Sequence, residues 1–402
     1  MTLKLGNITT IVVSSPQVAR EVLQKNDQAI SSRKIPDTLR AQDHHTLSVI
    51  WMPQSPQWRL LRRVCASKIF SSHQLDSTQT IRQKKVQELV NHVGECCRKG
   101  EALAIGEAAF TTVLNSISNI LFSLDLGHYY GSDHNNNKAQ EFNHIIWGIK
   151  EEGGGPNVVD FFSMLRVFDP QRARARMNGY FGKLIEFLDG IIDERLRLRA
   201  SEIMESKGCN YVLDSLIQLM MEENSQVSRP LVLHLLLDLF VAGMDTTSST
   251  VEWTMAELLC NLNKLKTARQ DLHKGEPFEE SHISRLPFLK AVNSQILINV
   301  WAMGRDPSVW ENPNQFMPEK FLGNEIDFKG QDFELLSFGA GRRMCPGLPL
   351  TNKTVHAILA SILHYYDWKL ANGSKAENMD MAEKFRVAMN KAIPLRAIPI
   401  KN

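Results

Sequence analysis

The sequence predicts a mainly α-helical fold with a small β portion, built as a single domain over residues 1–402. Three observations predict it. From Leu75 to about Met204, apolar residues recur at three- and four-residue spacing through Ile81–Val93, Ile105–Phe122, Phe142–Ile149 and Arg172–Arg199. From Ser228 to about Cys260 a second stretch, apolar on nearly every side through Leu231–Val241, predicts a buried helix of roughly 48 Å. Strand-like segments are short and lie near the chain ends, and no internal repeat, linker or composition shift marks a second unit.

Composition narrows the function class. Hydrophobic residues make up 43% and charged residues 22%, an ordinary globular balance. A net charge of +2 argues against a nucleic-acid partner, which would call for a strong basic excess. The cysteines are Cys65, Cys96, Cys97, Cys209, Cys260 and Cys345, with no Cys-x-x-Cys pair. That pattern fits a reduced, cytosol-facing compartment better than a disulfide framework. No signal peptide or membrane span is expected. The apolar run Leu231–Met244 is interrupted by His234 and Asp238 and falls short of the ~20 residues a span needs.

In chain order, Leu3 to Val13 reads as two short strands around Gly6-Asn7, and Ser15-Pro16 opens a helix. Arg33 to Pro53 is loop-like and carries His44-His45, which as neighbours point to opposite sides and so make a poor metal pair. Trp58 to Arg63 begins a basic helix on which Trp58 and Arg62, four apart, share a face. Arg59, Arg63 and Lys68 offer cations to an acidic partner, or simply a solvated face. Loops at Gly131–Asn137 and Gly153–Pro156 punctuate the helices that follow. Ser228 is placed to cap the long helix.

Two stretches carry chemistry. Inside the long helix stands Ala242-Gly243-Met244-Asp245-Thr246-Thr247. Gly and Thr are costly in a buried helix, and Thr hydroxyls bond back to carbonyls one turn earlier and bend it. A widening beside Gly243 would admit dioxygen and water, while Asp245 and Thr246 offer an acid and a hydroxyl for passing protons. The alternative is a kink with a satisfied polar pair. The other stretch is Phe338-Gly339-Ala340-Gly341-Arg342-Arg343-Met344-Cys345-Pro346-Gly347. It reads as a Gly-rich loop ending on one cysteine at a helix start, with Pro346 in the first turn. Amides and the positive helix end favour a thiolate there. Phe338 supplies an aromatic face, and Arg342 or Arg343 a cation for a carboxylate. A flat, acidic, thiolate-bound cofactor of this kind is haem b, with Cys345 on the iron. A buried structural cysteine in a glycine-rich turn is the plainer alternative.

The complete pattern Phe-x-x-Gly-x-Arg-x-Cys-x-Gly, at Phe338, Gly341, Arg343, Cys345 and Gly347, resembles the cytochrome P-450 superfamily. The Ala-Gly-x-Asp-Thr stretch from Ala242 fits the same family, as do Ser31–Arg33, Trp58–Arg63, Trp301–Pro307 and Leu370–Pro399, which look like plant microsomal members of the geraniol 8-hydroxylase type. The resemblance implies the cytochrome P-450 fold. It also implies NADPH- and O2-dependent hydroxylation of a small apolar substrate such as a monoterpene alcohol. Electrons would come from an NADPH-cytochrome reductase at the cytosolic face of the endoplasmic reticulum membrane. It makes Thr246 and Asp245 catalytic and Cys345 the metal ligand. It sets Trp58, Arg62 and Arg343 at the propionates, with Phe338 and Gly339 at the ligand loop. Phe240, Val241, Ala242 and the turn Val387-Ala388-Met389 are expected to contact substrate, with a plain core role as the alternative.

The chain departs from the family twice. On that resemblance, the amino-terminal anchor, Pro-rich hinge and first helix are expected to be absent. After Ala291-Val292 the family's Glu-x-x-Arg helix is missing, and Asn293-Ser294-Gln295 runs straight on toward Trp301. The third member of that ion-pair network is Lys320 in Pro318–Phe321, which lacks the fork of an Arg. The expected fold is therefore an incomplete version of the family's, and the expected haem binding and activity are weak.

Overall fold

The computed structural model describes residues 2–129, 137–201, 211–272, 299–323, 326–373, 375–384 and 388–401. The helices appear where apolar spacing places them: Gln79–Lys99, Ile105–Phe122, Asn137–Gly154 and Ala173–Ala200. Short polar cues end them. Gly100 takes the left-handed conformation that closes Gln79–Lys99, with its amide bonded to the Cys96 and Cys97 carbonyls. Ser15 and Ser55 each cap a helix opening on proline, at Pro16–Arg20 and Pro56–Val64.

The long helix runs unbroken from Arg229 to Cys260. It packs against Ile105–Phe122 on one side and Leu348–Tyr365 on another, with Ala173–Ala200 also in contact. Burial on all these sides explains its near-uniform apolarity. Gly243 allows a close approach: a Cβ there would lie 2.8 Å from Ile117 Cδ1. Ile117 thus covers one side of Gly243, while its other side stays half-buried. By length and composition this helix is the single membrane-span candidate among the described residues, but 72% of its apolar window is buried inside the protein.

The β portion is small. Thr2–Leu5 and Ile8–Ile11 form an antiparallel hairpin, docked by a bond from the Asn7 amide to the Phe161 carbonyl at 3.0 Å. Leu103–Ala104, Arg396–Lys401 and Tyr366–Leu370 form an antiparallel sheet with Arg396–Lys401 in the middle, and Glu383–Lys384 pairs with Asn390–Lys391. A satellite apolar cluster of Ala19, Val300, Met303, Phe333, Leu336 and Ala340 ties the first helix to the chain leading into the cysteine loop. The five described cysteines are free. Cys209 and the junction at 292–295 lie outside the described residues.

Candidate haem-thiolate site

The cysteine loop is shaped by its glycines. Gly339 and Gly341 have φ of +71° and +65°, a region that favours glycine. At Gly341 a Cβ would overlap the Leu23 carbonyl. A short helical turn at Gly341–Arg343 brings the chain back, so that the Cys345 amide donates to the Phe338 carbonyl at 3.0 Å. Phe338 itself lies beside Phe328, ring centroids 5.8 Å apart. The following helix starts at Leu348, not directly after Cys345, and Pro349 rather than Pro346 fills its first turn. The two extra residues let the Gly347 and Leu348 amides reach the cysteine sulfur.

Cys345 is accessible on one side and ringed by protein on the others. Burial pushes its thiol pKa up, while the Gly347 amide, Arg62, the Leu348 amide and Arg33 act in the opposite direction. Arg62 donates to the Met344 carbonyl at 2.8 Å, next to the cysteine. Arg343 donates to the carbonyls of Ser31, Val49, Ile50 and Met52 at 2.5–3.5 Å and lies 4.4 Å from the centre of the Trp58 ring. Trp58 is buried, and its indole N–H donates to the Val49 carbonyl at 3.0 Å.

Arg33 completes this cationic group. Burial, then Arg62, holds the Arg33 pKa down, and burial with Arg33 and Arg62 lowers Arg343 to about 10. None of the three guanidiniums has a carboxylate partner among the described residues. Crowded cations beside a sulfur are complementary to a flat dianion, and haem with its two propionates fits that donor set. By contrast, Arg342 points outward and pairs with Asp27 at 2.8 Å.

The long helix shows an accessible stripe. Ala242 and Thr246 are exposed, and Leu239, Gly243, Thr250 and Trp253 are half-buried on a helix otherwise mostly covered. Their spacing follows one face. Thr246 Oγ1 donates to the Ala242 carbonyl at 2.7 Å, and Thr247, Ser248 and Thr250 bond back in the same way. Asp245 lies off that stripe. It is buried, pairs with Lys150 at 2.8 Å, and its Oδ2 has no hydrogen-bond partner among the described residues. Lys150 also sits over the Phe110 ring at 4.1 Å.

Phe240 likewise faces the core, fully buried against Phe122 and Phe142 at 5.6 and 6.0 Å. Val241 and Ala388 are half-buried. The Met389 carbonyl accepts from Ser249 Oγ and Trp253 Nε1, both at 2.8 Å, fastening the turn at Ala388-Met389 to the long helix. Val387 lies outside the described residues.

The segment between Arg33 and Trp58, loop-like in sequence, is fastened from behind. Asp238 of the long helix accepts from Ser48 Oγ at 2.8 Å and the Val49 amide at 2.8 Å, and pairs with His44 Nε2 at 3.2 Å. His44 Nδ1 meets His234 Nδ1 at 2.9 Å. His45 points elsewhere, to Arg40. This buried network positions the Val49, Ile50 and Met52 carbonyls that hold Trp58 and Arg343. Sequence reasoning missed it, and missed Arg33.

Comparison with known proteins gives a consistent result. The cytochrome P-450 family model matches in two segments, residues 1–293 and 292–394. Geraniol 8-hydroxylase of Catharanthus roseus is 43% identical over 435 aligned positions, covering 99% of this chain and 86% of that protein. Geraniol 8-hydroxylase of Swertia mussotii is 42% identical with the same coverage. A zebra fish cytochrome P-450 solved with progesterone superposes with a TM-score of 0.78 at 22% identity, covering 100% of this chain and 96% of that one. Fold, loop and relatives agree: the chain belongs to the cytochrome P-450 family of monooxygenases.

Proposed function

We propose that the chain is a haem-thiolate monooxygenase that places one atom of O2 into a small apolar substrate, with a monoterpene alcohol such as geraniol as the first candidate. The observation that carries this reading is Cys345, reached by two amides, beside Arg33, Arg62 and Arg343, whose guanidiniums lack a carboxylate partner among the described residues. Haem, when bound, supplies the iron at which dioxygen is reduced and split. Cys345 would hold that iron. Arg33, Arg62 and Arg343 would meet the propionates, with Trp58 buttressing the last two. Phe338 and Gly339 shape the ligand loop. Thr246, on the accessible stripe, would offer a hydroxyl proton for O–O cleavage on release from the Ala242 carbonyl. Asp245 reaches that proton only by leaving Lys150. Ala242, Val241 and Ala388 supply small apolar surface for the substrate.

The two electrons would come from NADPH through a flavoprotein reductase. The exposed cations Arg59, Arg63 and Lys68 favour an acidic docking partner. Phe162, Met164, Val167 and Phe168 are exposed together in one short segment, which favours contact with the endoplasmic reticulum membrane at its cytosolic face.

A second reading, an internally shortened and impaired form of such an enzyme, is favoured by a specific observation. The alignment with one relative spans 437 positions against a chain of 402, a difference of at least 35, and the family match divides at 292–293. The unmatched positions would hold the Glu-x-x-Arg segment. Incubation of the expressed chain with reductase, NADPH and geraniol tests both readings. Hydroxylated product that requires NADPH supports the first, and a yield far below that of a geraniol 8-hydroxylase supports the second. No product from geraniol together with NADPH-independent turnover of an added organic hydroperoxide contradicts both and points to a peroxide-rearranging enzyme.

A further inference from the structure

Away from the cysteine loop, three sulfur atoms converge at the far end of the long helix. Cys260 Sγ lies 3.6 Å from Met379 Sδ and 4.0 Å from Met381 Sδ. Cys260 is the last residue of the helix, and the two methionines stand on either side of Asp380 in the chain that returns past it. All three residues are half-buried, so the group is dry on one side and reachable on the other. The Ala376 carbonyl is 3.7 Å from the same sulfur. No cluster of three His, Cys, Asp or Glu side chains occurs among the described residues, so this is a sulfur site or none.

From this geometry we propose that Cys260, Met379 and Met381 form a binding site for a soft monovalent metal ion, Cu(I) being the physiological choice. With metal–sulfur bonds of about 2.3 Å, the two observed separations correspond to S–metal–S angles of about 103° and 121°. Those two angles suit trigonal coordination centred beside Cys260. One thiolate and two thioethers are a ligand set that selects Cu(I) over harder ions.

Charged groups border the site. Lys391 Nζ is 3.6 Å from Met381 Sδ, donates to the Asp380 carbonyl at 2.6 Å and sits 4.8 Å over the Trp253 ring. The Glu257 carboxylate acts on Cys260 as well, so charge is balanced there and ligand softness is what favours Cu(I) over Zn(II). Binding forms metal–sulfur bonds and releases the Cys260 thiol proton to solvent. The metal enters and stays as Cu(I), so nothing is oxidised or reduced. The bound ion would staple the end of the long helix to the returning chain.

The test is a titration of the full chain with Cu(I), held reduced, against the chromophoric chelator bicinchoninate. It is repeated on Cys260→Ser and on the double variant Met379→Leu, Met381→Leu. Every variant keeps Cys345 and the other thiols, so their copper is common to all. The unmodified chain should retain one Cu(I) more than Cys260→Ser does. The double variant should hold that ion at least tenfold more weakly. One equivalent of Cu(I) should raise the melting temperature of the unmodified chain alone. Met→Leu conserves volume, so the double variant decides the matter even if Cys260→Ser does not fold. Equal affinity in the double variant, equal copper in Cys260→Ser, or displacement of the ion by equimolar Zn(II) overturns the proposal.

Discussion

Acidification should loosen the protein through one residue, His234. It is buried in the long helix against His44 and Asp238. Asp238 draws the proton of His44 to Nε2, which leaves His44 Nδ1 to accept from His234 Nδ1–H. Burial, and then the neighbouring His44, lowers the His234 pKa to about 4, against 6.5 for a free side chain. The unfolded chain therefore binds more protons than the folded one between those values, so stability is intact above pH 6.5 and is lost as pH falls toward 4. Linkage gives a loss of about 1 kcal/mol by pH ~5.5 and about 3 kcal/mol near pH ~4. Urea unfolding of the unmodified chain and of His234→Gln across this range measures the effect. Gln keeps a donor for His44 but does not titrate, so its acid limb should be shallower by those amounts. Parallel curves for the two proteins would refute the reasoning.

Three further perturbations follow from the same geometry. Gly341→Ala puts a Cβ into the Leu23 carbonyl at a positive φ and should cost at least about 2 kcal/mol in urea unfolding. Lys150→Met strands the Asp245 carboxylate in the core and should cost about 3–5 kcal/mol, most of which Asp245→Asn in the same chain should restore. Thr246→Ala removes an exposed hydroxyl and should leave melting unchanged, while NADPH-dependent product falls by about a hundredfold.

The helices were legible because apolar spacing repeats over windows of ten residues or more, and the cysteine loop because its glycines and cysteine are consecutive. The start of the helix after Cys345 was misplaced by two residues because two prolines, Pro346 and Pro349, offer the same signal. Asp245 and Thr246 were grouped as one relay, yet adjacent residues on a helix stand about 100° apart, and the structure sends one to Lys150 and the other to the accessible stripe. Phe240 failed to reach that stripe for the same reason. The link from His44 and Ser48 to Asp238 joins residues about 190 positions apart and has no local signature, because each partner alone reads as an ordinary polar residue. Arg33 was hidden likewise, its role appearing only when Arg62 and Arg343 come up beside it.

The account stands on the sulfur of Cys345. The most direct measurement is the absorption spectrum of the reduced, carbon-monoxide-bound protein, taken on the expressed chain and on Cys345→Ser. A thiolate-type Soret band should form, at a yield below that of a geraniol 8-hydroxylase prepared alongside, and should vanish in Cys345→Ser. A band that survives the substitution, or none in the unmodified chain, would contradict the assignment, and full yield would contradict the impairment ascribed to the missing segment.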